Sequence, residues 1–250
     1  MTRRWSPDLA IFKQVLVMVL EKLRNISNRI INPIAMKFQG SRVSPNIITE
    51  IGLFFMIAAS VSTAIVGFFA LSAWFLLFTT TFLFCSGVMD LLDGGVAKVT
   101  GQKTKFGGVL DSTCDRYADA FFIFGLVFGN YLNPPSYIVS SNMAFTWGVI
   151  LGFIGLIGAY MTSYVRSRAE IEGVTMKGVG LIERGERLII FFVGICLEIL
   201  FPGYSIMFYL FLVLVILMHV TAFQRIHHAY KTLKPIDDAA QGRAREEKSE

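Results

Sequence analysis

The feature that most constrains this chain is a succession of six apolar stretches, at about 47–69, 71–89, 107–129, 143–165, 187–202 and 204–223. A helix needs roughly 20 apolar residues to cross the hydrocarbon of a bilayer, and each stretch approaches that length, the fifth being short. Inside hydrocarbon the backbone must satisfy its own hydrogen bonds, so a chain with this pattern folds as helices that span the membrane. Composition agrees. Only 16% of the 250 residues are charged, whereas a soluble domain carries about a quarter. The predicted fold class is all-α: a polytopic membrane protein with six transmembrane helices.

The basic residues orient it. The link "NYLNPPSYIVSSN" (130–142) has no Lys or Arg, and neither do the tight connections at 70–71 and 202–204. All 23 basic residues fall at the N-terminus, in or beside the links at 90–106 and 166–186, or at the C-terminus. If six helices alternate, those regions share one side, and the positive-inside rule makes that side the cytoplasm. Both termini are then cytoplasmic, and the expected location is the plasma membrane. The net charge of +5 serves orientation and anionic partners at the membrane surface. With no nucleic-acid motif in the chain, nucleic acid is not an expected partner.

Residues 9–32 read as an amphipathic helix, with Phe12, Leu16, Val19, Leu23, Ile26 and Ile30 at alternating spacings of four and three and Pro33 at its end. Basic residues beside an apolar stripe suit a helix lying in the headgroup layer. The expected organisation is a cytoplasmic N-terminus with this interfacial helix (1–43), a six-helix domain (44–232), and a polar tail without regular structure (233–250). Cys85, Cys114 and Cys196 lack metal spacing and read as packing residues.

The chemistry lies in "MDLLDGGVAKVTGQKTKFGGVLDSTCD", Met89 to Asp115. Asp90 and Asp93 are three apart at the end of the second apolar helix; Asp111 and Asp115 are four apart near the start of the third. Each spacing puts its pair on one helical face. Packed side by side, the two helices would bring four carboxylates together, where they repel one another unless protonated or neutralised. Hard divalent cations take such oxygen ligands, and Mg²⁺ is often shared between carboxylates and substrate phosphates. Two divalent ions would balance the four charges. Gly94, Gly95, Gly107 and Gly108 flank the acids and let a ligand or a second backbone approach closely.

These residues resemble the CDP-alcohol phosphatidyltransferase family, whose pattern is D-x2-D-G-x2-A-R-x8-G-x3-D-x3-D. Asp90, Asp93, Gly94, Ala97, Gly107, Asp111 and Asp115 match at every spacing, and the one departure is Lys98 in place of the family's Arg. Lys keeps the charge and loses the planar fork. The stretch "SPNIITEIG" (44–52) is also similar to the family. The resemblance implies a CDP-linked lipid donor, a small-alcohol acceptor and release of CMP. It implies two divalent ions, Mg²⁺ or Mn²⁺, at Asp90, Asp93 and Asp111, with Asp115 touching metal and acting as general base. It implies CDP-lipid contacts from Asn46, Thr49, Asp90, Gly94, Ala97, Lys98 and Gly107, and it suggests a homodimer.

"TKFGGVLDSTCDR", "SYVRSRAE" and "IERGERLII" resemble the prokaryotic branch that makes phosphatidylinositol phosphate or archaetidylinositol phosphate. The expected acceptor is therefore inositol phosphate, with glycerol phosphate second and serine more distant. A phosphorylated acceptor needs cations, and the expected set is Arg116, Arg166, Arg168, Arg184 and Arg187. The rival from a different class is a cation transporter, because intramembrane acids often mark ion paths. The acids here gather near one face, with only Glu198 toward the other.

Overall fold

The computed structural model describes residues 31, 33–38 and 43–246. Among them every regular element is helical: α1 Pro45–Phe68, α2 Leu76–Val99, α3 Lys105–Phe128, α4 Ser141–Ile171, α5 Arg184–Leu200 and α6 Ile206–Glu246, with a short 3₁₀ turn at Ala73–Phe75 before α2.

Local sequence sets these boundaries. Ser44 and Pro45 open α1; Pro suits a first helical position, and the Ile47 amide donates to Ser44 Oγ at 3.4 Å. Thr104 opens α3 by accepting the Gly107 amide at 2.9 Å. Glu183 and Glu186 form a reciprocal capping box at the start of α5. The α3 terminus closes through Asn130 at φ 62, with the Tyr131 amide returning to the Leu126 carbonyl at 2.9 Å.

Four helical stretches are long and apolar enough to cross a membrane: Pro45–Phe68, Ala73–Val99, Ser141–Ile171 and Ile206–Ala240. The sequence predicts six. The other two, α3 and α5, differ for visible reasons. α3 carries Lys105, Asp111, Asp115 and Arg116 in its first half and Asp119 just beyond it, and α5 has 17 residues, about 26 Å of helix. Large apolar side chains such as Phe68, Trp74, Phe153 and Phe223 point outward, as lipid-facing positions do. The interfacial helix expected over 9–32 lies outside the described residues except for Ile31. α6 continues through Glu246, so 233–246 is helical where the sequence reading expects an irregular tail; good helix formers such as Ala239, Ala240 and Gln241 carry it on.

The chain divides into two compact units, one ending at Phe54 and resuming over Cys85–Cys114, the other comprising Phe55–Phe84 and Asp115 onward. The first has a core of Ile31, Ala35, Ile48, Leu92 and Val96. There α1 and α2 approach closely at Gly52, whose carbonyl accepts the Ser86 hydroxyl at 2.9 Å. The second is centred on Phe122, Phe191 and Phe211, with ring centroids 4.9 and 6.3 Å apart. Its α4 and α5 both pack on α6, and a stripe of Gly148, Gly152, Gly155 and Gly158 is buried on α4.

Candidate active site

In the first unit, α1, α2 and the start of α3 enclose a cavity of about 150 Å³. It brings together Asn46, Thr49, Asp93, Gly94, Ala97, Gly107 and Asp111. Five of the seven residues expected to hold the donor therefore line one basin. Asp90 and Lys98 stand outside its lining, and Lys98 is exposed.

The basin is built around one buried acid. Asp93 is 7% exposed, and the Thr49 hydroxyl donates to its Oδ2 at 2.6 Å. Thr49 thus orients the carboxylate from α1. Asp90 and Asp111 present carboxylate oxygens within 4.8 Å of each other. An all-oxygen donor set with several negative charges fits a hard divalent cation, so the residues present suit the metal that the pattern implies.

The glycines sort by what surrounds them. A Cβ on Gly95 would lie 2.7 Å from Ile31 Cγ2, and one on Gly107 would lie 3.1 Å from Asn46 Oδ1. Both serve close packing. Around Gly94 nothing beyond its chain neighbours and the local backbone of its own helix lies within 4 Å of that point, although the residue lines the cavity. Its missing side chain leaves space for something other than the protein.

In the second unit, α3 continues the stripe of acids with Asp115 and Asp119, each one turn beyond the acid before it. Arg184 Nη1 lies 2.7 Å from Asp115 Oδ1, and Arg116 Nη1 lies 3.7 Å from Asp115 Oδ2. Arg187 Nη2 lies 3.0 Å from Asp119 Oδ2. Three of the five expected arginines thus meet the acids of α3. The other two do not: Arg166 pairs with Glu170 at 3.0 Å and Arg168 with Glu172 at 2.6 Å, along the exposed face of α4.

Sequence reasoning missed the groups that hold this arrangement. Asp119 was legible as the next turn of the same stripe. Thr221 and Arg225 were not, because they fall at the end of an apolar run. Thr221 Oγ1 accepts the amides of Leu181 and Ile182 at 3.1 and 3.2 Å. Buried Arg225 donates to the carbonyls of Val179 at 2.9 Å and Thr162 at 2.7 Å. Together they fix the segment leading into α5, and so the rotational setting of Arg184 and Arg187. Burial also raises the Glu186 carboxyl above its ordinary range, against the backbone hydrogen bond that lowers it.

The family profile described as CDP-alcohol phosphatidyltransferase matches residues 42–224, spanning both units and the whole aspartate pattern. The chain belongs to the CDP-alcohol phosphatidyltransferase family. It is 35% identical to the phosphatidylinositol phosphate synthase of Mycobacteroides abscessus over 86% of this chain and 93% of that protein. It is 40% identical to the archaetidylinositol phosphate synthase of Pyrococcus horikoshii over 58% of this chain and 66% of that one. Among solved structures it resembles the Mycobacterium tuberculosis phosphatidylinositol phosphate synthase with CDP-DAG bound, at a TM-score of 0.60 and 30% identity over 81% of this chain and 94% of that chain. A second structure of that enzyme, in complex with manganese and citrate, also has a TM-score of 0.60, at 29% identity over 80% of this chain and 88% of that chain.

Proposed function

We propose that this protein transfers the phosphatidyl-type group of a CDP-linked lipid to a hydroxyl of inositol phosphate and releases CMP. One observation carries the reading: α3 runs from a glycine-opened, acid-lined basin directly into acids paired with arginines. Donor chemistry and acceptor chemistry are thus consecutive turns of one helix.

The basin takes the donor. Asn46, Gly94, Ala97 and Gly107 receive the cytidine nucleotide, and Thr49 keeps Asp93 aimed at the diphosphate side. Asp90, Asp93, Asp111 and Asp115 would hold two divalent ions, Mg²⁺ or Mn²⁺. Such ions supply charge neutralisation of the diphosphate and of the leaving CMP. Arg184 and Arg116 receive the acceptor phosphate, for which a guanidinium fork is suited. Asp115 accepts the proton of the attacking hydroxyl. The new bond joins that oxygen to the lipid-bearing phosphorus, and the bond that breaks is the one to CMP.

The protein acts as a plasma-membrane homodimer with six spanning helices, its site and both termini facing the cytoplasm. The absence of Lys and Arg from 130–142 supports that orientation. The charged start of α3 suits a helix that begins at the interface and enters the bilayer toward Phe128.

The test uses purified protein with CDP-diacylglycerol vesicles and Mg²⁺ or Mn²⁺, following CMP release with inositol phosphate, glycerol phosphate, free inositol or serine. Release that depends on inositol phosphate supports the reading. Preference for glycerol phosphate replaces only the acceptor. Preference for free inositol or serine defeats the arginine assignment, and no acceptor-dependent release with any of them defeats the enzyme reading.

A further inference from the structure

α2 ends at Val99 and α3 begins at Lys105, and the link between them is pinned at both ends. The Thr100 hydroxyl and amide both donate to the Val96 carbonyl, at 2.7 and 2.9 Å. Gly101, at φ 69, turns the chain out of α2. Thr104 then caps α3 through the Gly107 amide at 2.9 Å. Between those fixed points, Gln102 and Lys103 line the donor-side basin.

The charges of the basin single out Lys103. The acids lining it are Asp93 and Asp111, and Lys103 is its one cation among the described residues. No ion pair engages Lys103 among those residues, and it is exposed. An anionic ligand entering the basin therefore meets one favourable side-chain charge on its wall. An ammonium on a flexible aliphatic stem can turn to that ligand without giving up a partner. Lys105, two positions on, stands outside the lining and carries the same charge without the same access.

We propose that Lys103 is a donor-recognition residue: from the α2–α3 link its ammonium meets the phosphates of the nucleotide-linked lipid. The inference rests on the donor reading made above. It adds a cation that the aspartate pattern does not contain, since position 103 falls in the pattern's unspecified stretch between Lys98 and Gly107.

The test compares the parent with Lys103→Gln, Lys103→Arg and Lys105→Gln. All are purified in a neutral detergent with Mg²⁺ and checked for equal thermal stability. Binding of CDP-diacylglycerol is measured by calorimetry, beside the acceptor KM with inositol phosphate. Lys103→Gln should weaken CDP-diacylglycerol binding about five- to tenfold at low salt, and the gap should narrow to about twofold at about 0.5 M salt, because exposed charges are screened. Lys103→Arg keeps the charge, and Lys105→Gln removes an equal charge outside the basin, so both should bind within about twofold of the parent. The acceptor KM should not move. Parent-like binding by Lys103→Gln, an equal loss in Lys105→Gln or Lys103→Arg, a gap that salt leaves unchanged, or a defect confined to the acceptor KM overturns the inference. A parent that binds no CDP-diacylglycerol overturns the donor reading instead, and Lys103 loses its role with it.

Discussion

The donor-side basin and the acid–arginine cluster are built on opposite principles. The basin is defined by what is missing. Gly94 leaves open space where a side chain would stand, and one buried carboxylate, Asp93, is oriented by a single hydroxyl. The cluster is defined by charge pairing, with Asp115 and Asp119 each matched to a guanidinium from α5. On the proposed reading the first would admit a large anionic ligand together with cations, and the second would keep several charges in fixed register until a small anion arrives. The lesson is that acids at regular spacing on one helix can perform different tasks, decided by what faces them from the next helix.

The largest effects should come from the acids. Asp93→Asn or Asp111→Asn should reduce transfer at least ~100-fold while the protein still inserts in the membrane, and chelation of divalent metal should do the same to the parent. Full turnover by either variant, or in the presence of chelator, would break the basin half of the comparison. Asp115→Asn belongs to the other half. Its kcat should fall by about 10²–10⁴ with CDP-lipid affinity largely kept, measured by single-turnover kinetics beside donor binding.

Arg184→Ala sharpens the contrast. Loss of a charge-assisted contact costs roughly 1.5–3 kcal/mol, so the acceptor KM should rise about 10- to 100-fold and the donor KM very little. A change in the donor KM alone would place Arg184 on the wrong side. Gly94→Ala tests the basin by size rather than charge. In a helix interior Ala is favoured over Gly by about 1 kcal/mol, and the new methyl meets nothing beyond the local backbone of its own helix. Thermal stability should therefore hold or rise while the donor KM rises several-fold. Gly95→Ala, which would press on Ile31, should instead lower stability by about 1–3 kcal/mol.

The smallest effect should come from Arg166→Ala. Sequence reasoning ranks Arg166 among the phosphate-binding cations, but its side chain is 41% exposed and paired with Glu170 one turn away. Exposed pairs of that kind contribute about 0.3–0.5 kcal/mol, so the acceptor KM should change less than about threefold. A tenfold rise would return Arg166 to the site.

What was legible followed from locality. The aspartate pattern could be read because Asp90, Asp93, Gly94, Ala97, Gly107, Asp111 and Asp115 lie on two successive helices, and helical periodicity alone puts each acid pair on one face. The apolar runs gave the helices for the same reason. Asp119 continues the same stripe one turn further along α3.

The sequence by itself therefore determined that this chain is helical, apolar and equipped with a carboxylate cluster of one specific spacing. Only the tertiary structure decided which cations meet those carboxylates. Arg166, Arg168, Arg184 and Arg187 look equivalent as letters, since all four flank the same polar link. Their partners separate because an ion pair needs its members within a few ångströms. That distance depends on how α5 is rotated by its capping box and by the Thr221 and Arg225 anchors, and on whether a nearer glutamate on the same helix has already engaged the guanidinium, as on α4.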